Sequence, residues 1–375
     1  MSSQASQQLD ENWTLMKKGL EGVPTEAKWL SEVTQPGSVI GYDPKQIPFT
    51  TMQAYRSELS NAEAALSDIV ASCENDQSHA RQLIPVDGPN LVDLVWEAMR
   101  DSGEERAVRP PRTANPVCIV PLSFAGQTWQ QKVHRVIEMM RQNGSSLLTI
   151  SALDEIAWLL NLRGSDIQYS PIFFAYALLS LSEMHLFMNP KTLSDSEGLE
   201  QHLSDSEFKV NIHPYQEFFS HLDQSVRELS DRSSRVWLDY QSSDAIVMRV
   251  PETKRLFRNS PISDLKAVKL PSELNGIRQA HLEDSLVLCD FFAWLEQVSE
   301  TNGLVEPESE SPPETPLDGR TCEPAGNPPL DPPEKLTESS AGEYLDRLRS
   351  QAPGFVSLSF STIFGAGKYF YFLRF

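Results

Sequence analysis

The chain has 375 residues, of which 40% are hydrophobic and 22% charged, and its formal net charge is −20 at pH 7. This composition is typical of a globular protein with about two or three domains. So acidic a chain repels phosphate backbones, which argues against nucleic-acid binding, and no apolar run is long enough to span a bilayer. Residues 1–10 are polar without a signal-peptide pattern, so the sequence predicts a cytoplasmic protein with no membrane attachment.

The cysteines give no sign of a disulfide framework or a zinc site. The chain has four of them, Cys73, Cys118, Cys289 and Cys322. None lies close to another in sequence, and there is no CxxC motif or cysteine–histidine pair with zinc-ligand spacing. The sequence therefore predicts free reduced thiols.

Residues 1–105 alternate helical and extended patterns, which indicates an α/β unit. The predicted elements are a helix at Glu26–Val33, a strand at Ser38–Gly41, an amphipathic helix at Thr50–Ala71, a strand at Arg81–Val86 and a helix at Leu91–Met99 capped by Asn90. Residues 106–114, rich in proline and arginine, are predicted to be a stiff linker. The run Arg106, Arg109 and Arg112 is interpreted as a solvated linker rather than an anion site.

Residues 115–265 show a cleaner alternation of strands and helices. The first predicted elements are a helix at Thr128–Arg141 closed by Asn143 and Gly144, a strand at Ser146–Ile150, and a helix from Ser151 to Leu162 with a capping box to Asp154. They are followed by a hairpin of Ile172–Leu181 with Glu183–Met188, a strand at Glu207–Ile212, a helix at Tyr215–Leu229 and a strand at Arg235–Tyr240. This order predicts a largely parallel, helix-covered sheet with some antiparallel edges.

The turn from Arg163 to Asp166 follows one of these helices and has two interpretations. The favoured one is a helix end, with Arg163 at the negative end of the helix dipole and Gly164 supplying a positive φ. The alternative is a loop in which Arg163 and Asp166 face a substrate channel.

Residues 266–375 begin with a long helix and then change composition. Ser272 is predicted to cap a helix to about Ser299, with a buried stripe of Leu274, Ile277, Leu282, Leu286, Phe292 and Leu295. Residues 306–333 hold nine prolines and seven acidic residues and no aromatic, so a disordered insertion is predicted there. A helix at Glu338–Gln351, a strand at Phe355–Ile363 and an aromatic tail at Gly367–Phe375 are expected to follow.

No catalytic motif is present: the sequence lacks HExxH, GxSxG, a phosphate-binding glycine loop and an acidic cluster with metal-ligand spacing. His213 and His221 flank a predicted helix start, but no acidic or thiol partner is predicted at ligand spacing. A structural role is the favoured interpretation for these histidines, and also for His281 with its acidic neighbours. No catalytic residue and no metal ligand is therefore predicted in the chain.

A family resemblance is carried by the segment TISALDEIAWLLNLRGSDIQYSPIFFAY, residues 149–176. It resembles the second domain of the cytosolic Xaa-Pro aminopeptidases of eukaryotes, a creatinase-like family. Residues 9–19 and 262–296 resemble that family's first domain and the entry helix of its catalytic domain. The resemblance extends over most of residues 9–363, apart from the proline-rich segment.

The resemblance implies a fold and an activity. It predicts two creatinase N-terminal-like α/β domains, an incomplete one at 1–105 and a second at 115–265. The start of a truncated α+β "pita-bread" peptidase domain follows at 266–375. Family members use two manganese ions to remove the N-terminal residue from peptides with proline second. They are commonly oligomers, so peptide substrates and homo-oligomers are the implied partners.

The same resemblance implies that the metal ligands are missing. In the family, two aspartates, a histidine and two glutamates follow the strand matched by Phe355–Ile363, and this chain has no matching positions. A DGRYF-like segment of the first domain has no counterpart either. The chain is therefore expected to be cut at both ends and inactive alone. The alternatives are a non-catalytic interaction or dimerisation module and a non-functional splice or gene-model product.

Overall fold

A computed structural model describes residues 2–69, 80–86, 88–103, 109–204, 208–229, 231, 233–301, 333 and 336–365. The predictions for Cys73, Cys322, Arg106, the tail Gly367–Phe375, and residues 306–333 other than Pro333 lie outside the described residues. In the described ranges, no helix has both the length and the apolar character needed to cross a membrane.

The N-terminal part of the chain, residues 2–103, contains a small parallel sheet flanked by helices. Its elements are α1 (Ser2–Gln8), α2 (Glu26–Val33), β1 (Val39–Tyr42), α3 (Phe49–Ile69), β2 (Gln82–Pro85) and α4 (Leu91–Asp101). β1 and β2 pair in parallel, and α2 packs on α3. The predicted cap of α4 is confirmed, because the Asn90 side chain accepts a hydrogen bond from the backbone N–H of Val92. We call this part the first unit.

The central part of the chain is built on a six-stranded mixed sheet. The strands of this part are β3 (Cys118–Ile119), β4 (Ser145–Ile150), β5 (Leu162–Arg163), β6 (Ala175–Ser180), β7 (Glu183–Met188), β8 (Lys209–Pro214), β9 (Arg235–Leu238) and β10 (Arg255–Phe257). The sheet order is β10-β9-β4-β6-β7-β8, while β3 and β5 form a separate antiparallel pair. We call residues 109–267 the sheet unit.

Helices cover both faces of this sheet. They are α5 (Leu122–Ala125), α6 (Trp129–Gln142), α7 (Leu153–Leu159), α8 (Pro190–Asp195), α9 (Leu199–Leu203), α10 (Phe218–Glu228), α11 (Asp244–Val247) and α12 (Pro261–Ala267). Alternate strand residues feed two cores, since Leu148 and Leu186 join the core beneath α6 and α7, whereas Leu147 and Phe187 join the core beneath α10. The predicted end of α6 is confirmed, because Gly144 has a φ of 66° directly after Asn143.

The hairpin of β6 and β7 is confirmed, but the predicted placing of antiparallel strands at the sheet edges is wrong. β6 is antiparallel to both of its neighbours, β4 and β7, and it lies inside the sheet. The reason is the short connection through Leu181 and Ser182, which reverses the chain within the sheet interior. The pairs β4–β9, β9–β10 and β7–β8 are parallel, as the alternation of strands and helices predicted.

The predicted helix from Ser151 to Leu162 is too long at both ends. α7 begins after Ala152, which makes no side-chain cap, so the capping box between Ser151 and Asp154 is not formed. At the other end Asn161 takes a left-handed φ of 55°, and the next residues form β5. The helix therefore ends early because the chain turns to pair with β3.

The last part of the chain packs two helices together. α13 (Pro271–Thr301) and α14 (Glu338–Ser350) enclose a small core around Phe291, Tyr344 and Leu345. The predicted buried stripe is largely wrong, since five of its six members are exposed: Leu274, Ile277, Leu282, Leu286 and Phe292. Phe291 is the fully buried residue of α13 in this core, and Trp294 packs on Tyr344 of α14 beside it. We call α13, α14 and residues 351–365 the long-helix unit.

Two further details differ from prediction in the long-helix unit. Ser272 lies inside the first turn of α13 rather than capping it, and the Glu273 carboxylate accepts from the backbone N–H of Leu270 at 2.7 Å. Residues 355–363 form no strand, because no neighbouring strand of the described chain is placed to pair with them.

Polar contacts fasten the first unit to the sheet unit. The Tyr42 hydroxyl donates to Asp244 Oδ2 at 2.6 Å, and Arg56 Nη2 donates to the same oxygen at 3.1 Å. The backbone N–H of Phe49 also donates to the carbonyl of Ser242. Asp244 is buried in this contact, so its charge is compensated by the cation and the hydroxyl that face it.

Candidate functional site

The segment that resembles the aminopeptidase family borders a cavity of about 340 Å³ in the sheet unit. The cavity lies between α6, α7, β5 and the start of α13. Charged and polar side chains reach it from these elements, from α12 and from the loop before β6: Lys132, Asp154, Asn161, Arg163, Ser170, Lys266 and Glu273. We call it the α6–α7 cavity.

Lys132 is the most deeply buried charged group of the α6–α7 cavity. Its Nζ donates to the Trp158 carbonyl at 2.9 Å and to Asn161 Oδ1 at 2.7 Å, and it lies 4.1 Å from the centre of the Trp158 ring. Burial lowers the pKa of Lys132 to about 8, although the nearby Glu273 carboxylate acts in the opposite direction. The ammonium therefore fixes the C-terminal end of α7.

Asn161 connects the same cation to the strained turn after α7. Its Nδ2 donates to the carbonyl of Gln127 at 2.8 Å while its Oδ1 accepts from Lys132. An asparagine tolerates the left-handed backbone better than a branched residue does, which suits its φ of 55°. Asn161 thus aims β5, and with it Arg163, toward the mouth of the cavity.

Apart from Arg163, the remaining charges of the cavity are paired or hydrogen-bonded. Lys266 Nζ lies 2.5 Å from Asp154 Oδ2, and Trp158 Nε1 donates to Glu273 Oε1 at 3.1 Å. Because Asp154 and Glu273 are engaged in this way, no residue that lines the cavity forms a nucleophile with an adjacent base. The arrangement is suited to binding and orienting a group rather than to covalent chemistry.

The structure separates the two residues of the predicted channel loop. Arg163 lies in β5, is exposed and lines the cavity. Asp166 is buried outside the cavity lining, and its two carboxylate oxygens accept from the backbone N–H groups of Asn115 and Phe174, both at 2.9 Å. Asp166 therefore holds the linker against the loop, while Arg163 is the member placed to meet a ligand.

Gly164 has a different role from the predicted one. Its φ is not in the left-handed region; the positive φ of this turn belongs to Asn161. A side chain at Gly164 would instead lie 2.7 Å from Phe173 Cβ and 2.9 Å from the Ile172 carbonyl oxygen. Glycine is required here because two stretches of backbone approach closely.

Two of the linker arginines are exposed and also have partners. Arg109 lies 3.1 Å from Asp93, and Arg112 stacks on the rings of Phe174 and Tyr215 at 4.1 Å and 4.6 Å. Their exposure agrees with a solvated linker, while these contacts with acidic and aromatic groups of both units were not predicted.

A second cluster was not predicted from the sequence. His185, His213 and His221 bring nitrogen atoms within 4.8 Å of one another, and among the described residues this is the one group of three or more histidine, cysteine or acidic side chains at metal-ligand distance. The expectation that His221 has no acidic partner is wrong, since Glu217 lies 3.6 Å from its Nε2. The spacing of Glu217 and His221, one helical turn apart, is a signal that could have found this contact.

This cluster does not fit the dinuclear centre that the family resemblance implies. Two metal ions at hydrolytic sites are bridged by carboxylates, and the family's set includes four of them. The three imidazoles offer at most the ligands of one ion, and no carboxylate belongs to the group.

Comparison with known proteins gives a consistent result. Residues 108–273 match the creatinase/prolidase N-terminal domain family. The chain is 31% identical to the Xaa-Pro aminopeptidase ApepP of Drosophila melanogaster over 97% of its own length and 49% of the relative. It is 34% identical to a probable Xaa-Pro aminopeptidase P of Coccidioides posadasii, again over 97% of this chain and 50% of the relative.

A solved structure extends the likeness to the fold. The X-prolyl aminopeptidase of Caenorhabditis elegans, a cytosolic enzyme with a di-nuclear active site, superposes with a TM-score of 0.74 at 29% identity. The match covers 96% of this chain and 48% of the worm enzyme. The chain thus spans about half the length of these relatives, and along that span it is homologous to Xaa-Pro aminopeptidases.

Proposed function

We propose that this chain is a non-catalytic part of a cytoplasmic Xaa-Pro aminopeptidase and does not cleave peptides by itself. The family activity is removal of the N-terminal residue before proline, with two metal ions, manganese by the resemblance. In this proposal the chain contributes the α/β scaffold and a wall of the peptide channel. The catalytic chemistry belongs to polypeptide outside the residues described here.

The observation that carries this proposal is the set of possible metal ligands. Among the described residues, the one cluster at ligand distance contains three histidines and no carboxylate. Activation of water by a metal pair supplies much of the rate enhancement of such peptidases. Among the described residues, the α6–α7 cavity offers no nucleophile with an adjacent base that could take the place of such a pair.

The α6–α7 cavity supports the assignment of a channel wall. Arg163 is exposed at its mouth, and Asn161, Lys132 and Asp166 fix the backbone on both sides of it. A cation on a rigid strand suits recognition of a carbonyl or carboxylate of a peptide. Arg163 is therefore the residue proposed to contact substrate, with Asp166 as its positioning residue.

The direct test is an assay of arginine release from the peptide Arg-Pro-Pro. The purified full chain would be incubated with Mn²⁺, beside a blank and beside the full-length fly or worm relative as the active control. We expect release by the relative and none above the blank by this chain. Arginine release by this chain that disappears with EDTA would overturn the proposal.

A second candidate is an interaction module that pairs with a full-length family subunit. Exposed apolar side chains on two helices favour it: Leu91, Val92 and Val95 on α4, and Leu282, Leu286 and Phe292 on α13. Co-expression with a differently tagged full-length subunit tests this candidate. Co-purification, lost when Val92 and Val95 or Leu282 and Leu286 are changed to serine, would support it, and elution of the chain alone would refute it.

A further inference from the structure

Three of the seven histidines of the chain meet on one side of the central sheet. His185 lies on β7, His213 on β8 and His221 on α10. The parallel register places His213 opposite Phe187, and His185 lies two residues before Phe187 on the same face of its strand. α10 crosses this face, so its first turns carry His221 over the two strands.

The nitrogen atoms are already close to a metal-binding geometry. His185 Nδ1 and His213 Nε2 are 2.9 Å apart, and the rings of His213 and His221 have centroids 4.2 Å apart. All three possible donor atoms lie within 4.8 Å of one another. Tetrahedral zinc with bonds of about 2.0–2.1 Å to nitrogen separates its ligands by roughly 3.4 Å, so small rotations of these rings suffice.

Two of the imidazoles have a carboxylate near their Nε2 atom. Glu183 Oε1 is 3.7 Å from His185 Nε2, and Glu217 Oε2 is 3.6 Å from His221 Nε2. Glu183 is itself held, because Asn211 donates to its second oxygen at 2.7 Å. Metal-binding histidines commonly turn their other ring nitrogen toward a carboxylate, which fixes the ring and its tautomer. This leaves Nδ1 of His185 and Nδ1 of His221 for a ligand.

We infer that His185, His213 and His221 form a mononuclear site for a divalent transition-metal ion, with Zn²⁺ as the best fit. His185 and His221 ligate through Nδ1 and His213 through Nε2, with Glu183 and Glu217 as positioning residues. Three imidazoles suit zinc among the common divalent ions. The cluster is half-buried, so water completes the coordination.

An aromatic side chain of the core beneath α10 packs against the cluster. The Phe187 ring lies 5.2 Å from the rings of both His213 and His221 and closes the inner side of the cluster. An ion bound here would fasten α10 to the β7–β8 edge of the sheet. The inference is independent of the proposed lack of peptidase activity, because it rests only on the contacts of these three histidines.

Zinc titration of the full chain tests the site. The chain, made without a polyhistidine tag and stripped with EDTA, would be titrated with Zn²⁺ against a colorimetric chelator. Co²⁺ absorption would report on the coordination geometry. We expect one equivalent of tight zinc and a tetrahedral cobalt spectrum. Both should be lost in His213→Ala and in His221→Ala, and both should be kept in the exposed matched controls His134→Ala and His281→Ala.

Variants of the two positioning glutamates distinguish a loss of metal binding from a loss of folding. Glu183→Gln and Glu217→Gln leave the three ligands in place, and each should weaken zinc binding by about 10-fold or more. Circular dichroism would establish that every variant is folded. If His213→Ala does not fold, the two glutamine variants decide. Two results would overturn the inference and indicate an adventitious ion only. One is the absence of tight zinc binding in the wild-type chain. The other is an unchanged zinc affinity in the folded histidine-to-alanine or glutamate-to-glutamine variants.

Discussion

The sheet unit and the long-helix unit have similar apolar patterns in sequence, but the apolar residues are buried in the first and mostly exposed in the second. In the sheet unit, alternate strand residues and one face of each helix are buried in two cores. In the long-helix unit, α13 carries as regular a pattern, but most of its predicted stripe is exposed because α14 covers only one end of it. Periodicity therefore predicts a helix, while burial depends on whether another element lies against it.

The largest expected effect comes from the same truncation in the two units. Leu222 on α10 is fully buried (0% exposed), and Leu222→Ala should lower the free energy of unfolding by about 2–5 kcal/mol. Leu286 on α13 is 62% exposed, and Leu286→Ala should change the free energy of unfolding by less than about 0.5 kcal/mol. Urea denaturation followed by circular dichroism measures both. Similar losses for the two variants would show that α13 is covered in solution, which would break the comparison.

A buried acid at the approach to the long-helix unit gives the next effect. Glu155 on α7 accepts from the Ser260 hydroxyl at 2.5 Å, just before α12. Burial raises the pKa of Glu155 to about 7, partly offset by that hydrogen bond. A raised pKa in the folded state means that this group stabilises the fold below its unfolded pKa of about 4.5, and that the contribution is lost as pH rises to about 7.

Glu155→Gln should remove this pH dependence of the stability. At pH 8 the variant should be more stable than the wild type by up to about 3 kcal/mol, with the gain vanishing near pH 4. Thermal unfolding across this pH range measures the difference. Glu200→Gln, at an exposed position of α9, is the control. A gain of Glu155→Gln that is equal at all pH values would contradict the expected cause.

The smallest effect concerns the first unit, which is fastened to the sheet unit by polar contacts more than by a shared core. Tyr42→Phe removes one of the two donors to the buried Asp244 and should cost about 1–2 kcal/mol. Tyr240→Phe, whose exposed hydroxyl makes a 3.3 Å contact with the Phe257 carbonyl, should cost less. Limited proteolysis of the first unit, compared between the two variants, measures the attachment. Equal digestion rates would contradict a role for the Tyr42 contact.

Local signals predicted much of the fold. Helices α2, α4 and α6 and the β6–β7 hairpin were predicted to within a few residues, because caps, turn residues and periodicity act over a few neighbouring positions. The order of the strands was not predictable in this way. Pairing of β6 with β4 on one side and with β7 on the other depends on distant chain segments.

The candidate sites were predicted less well, for the same reason. Arg163 was proposed as a candidate from its turn, and it stays a prediction. The cation that fixes that turn, Lys132, lies 29 residues away from Asn161 in the sequence. The histidine cluster needs the β7–β8 register and the crossing of α10, so spacing along the chain could not reveal it. The predicted positive φ of Gly164 is wrong, and the close approach of two stretches of backbone explains the glycine instead.

The interior position of β6 has a consequence for how the molecule folds. The β6–β7 hairpin closes through a two-residue turn and can form within microseconds, before the rest of the sheet. β4 and β9 must instead meet across 90 residues, as between Ser145 and Arg235. Because such distant closures slow folding, we expect the hairpin to serve as the early template and β9 with β10 to be the last strands added.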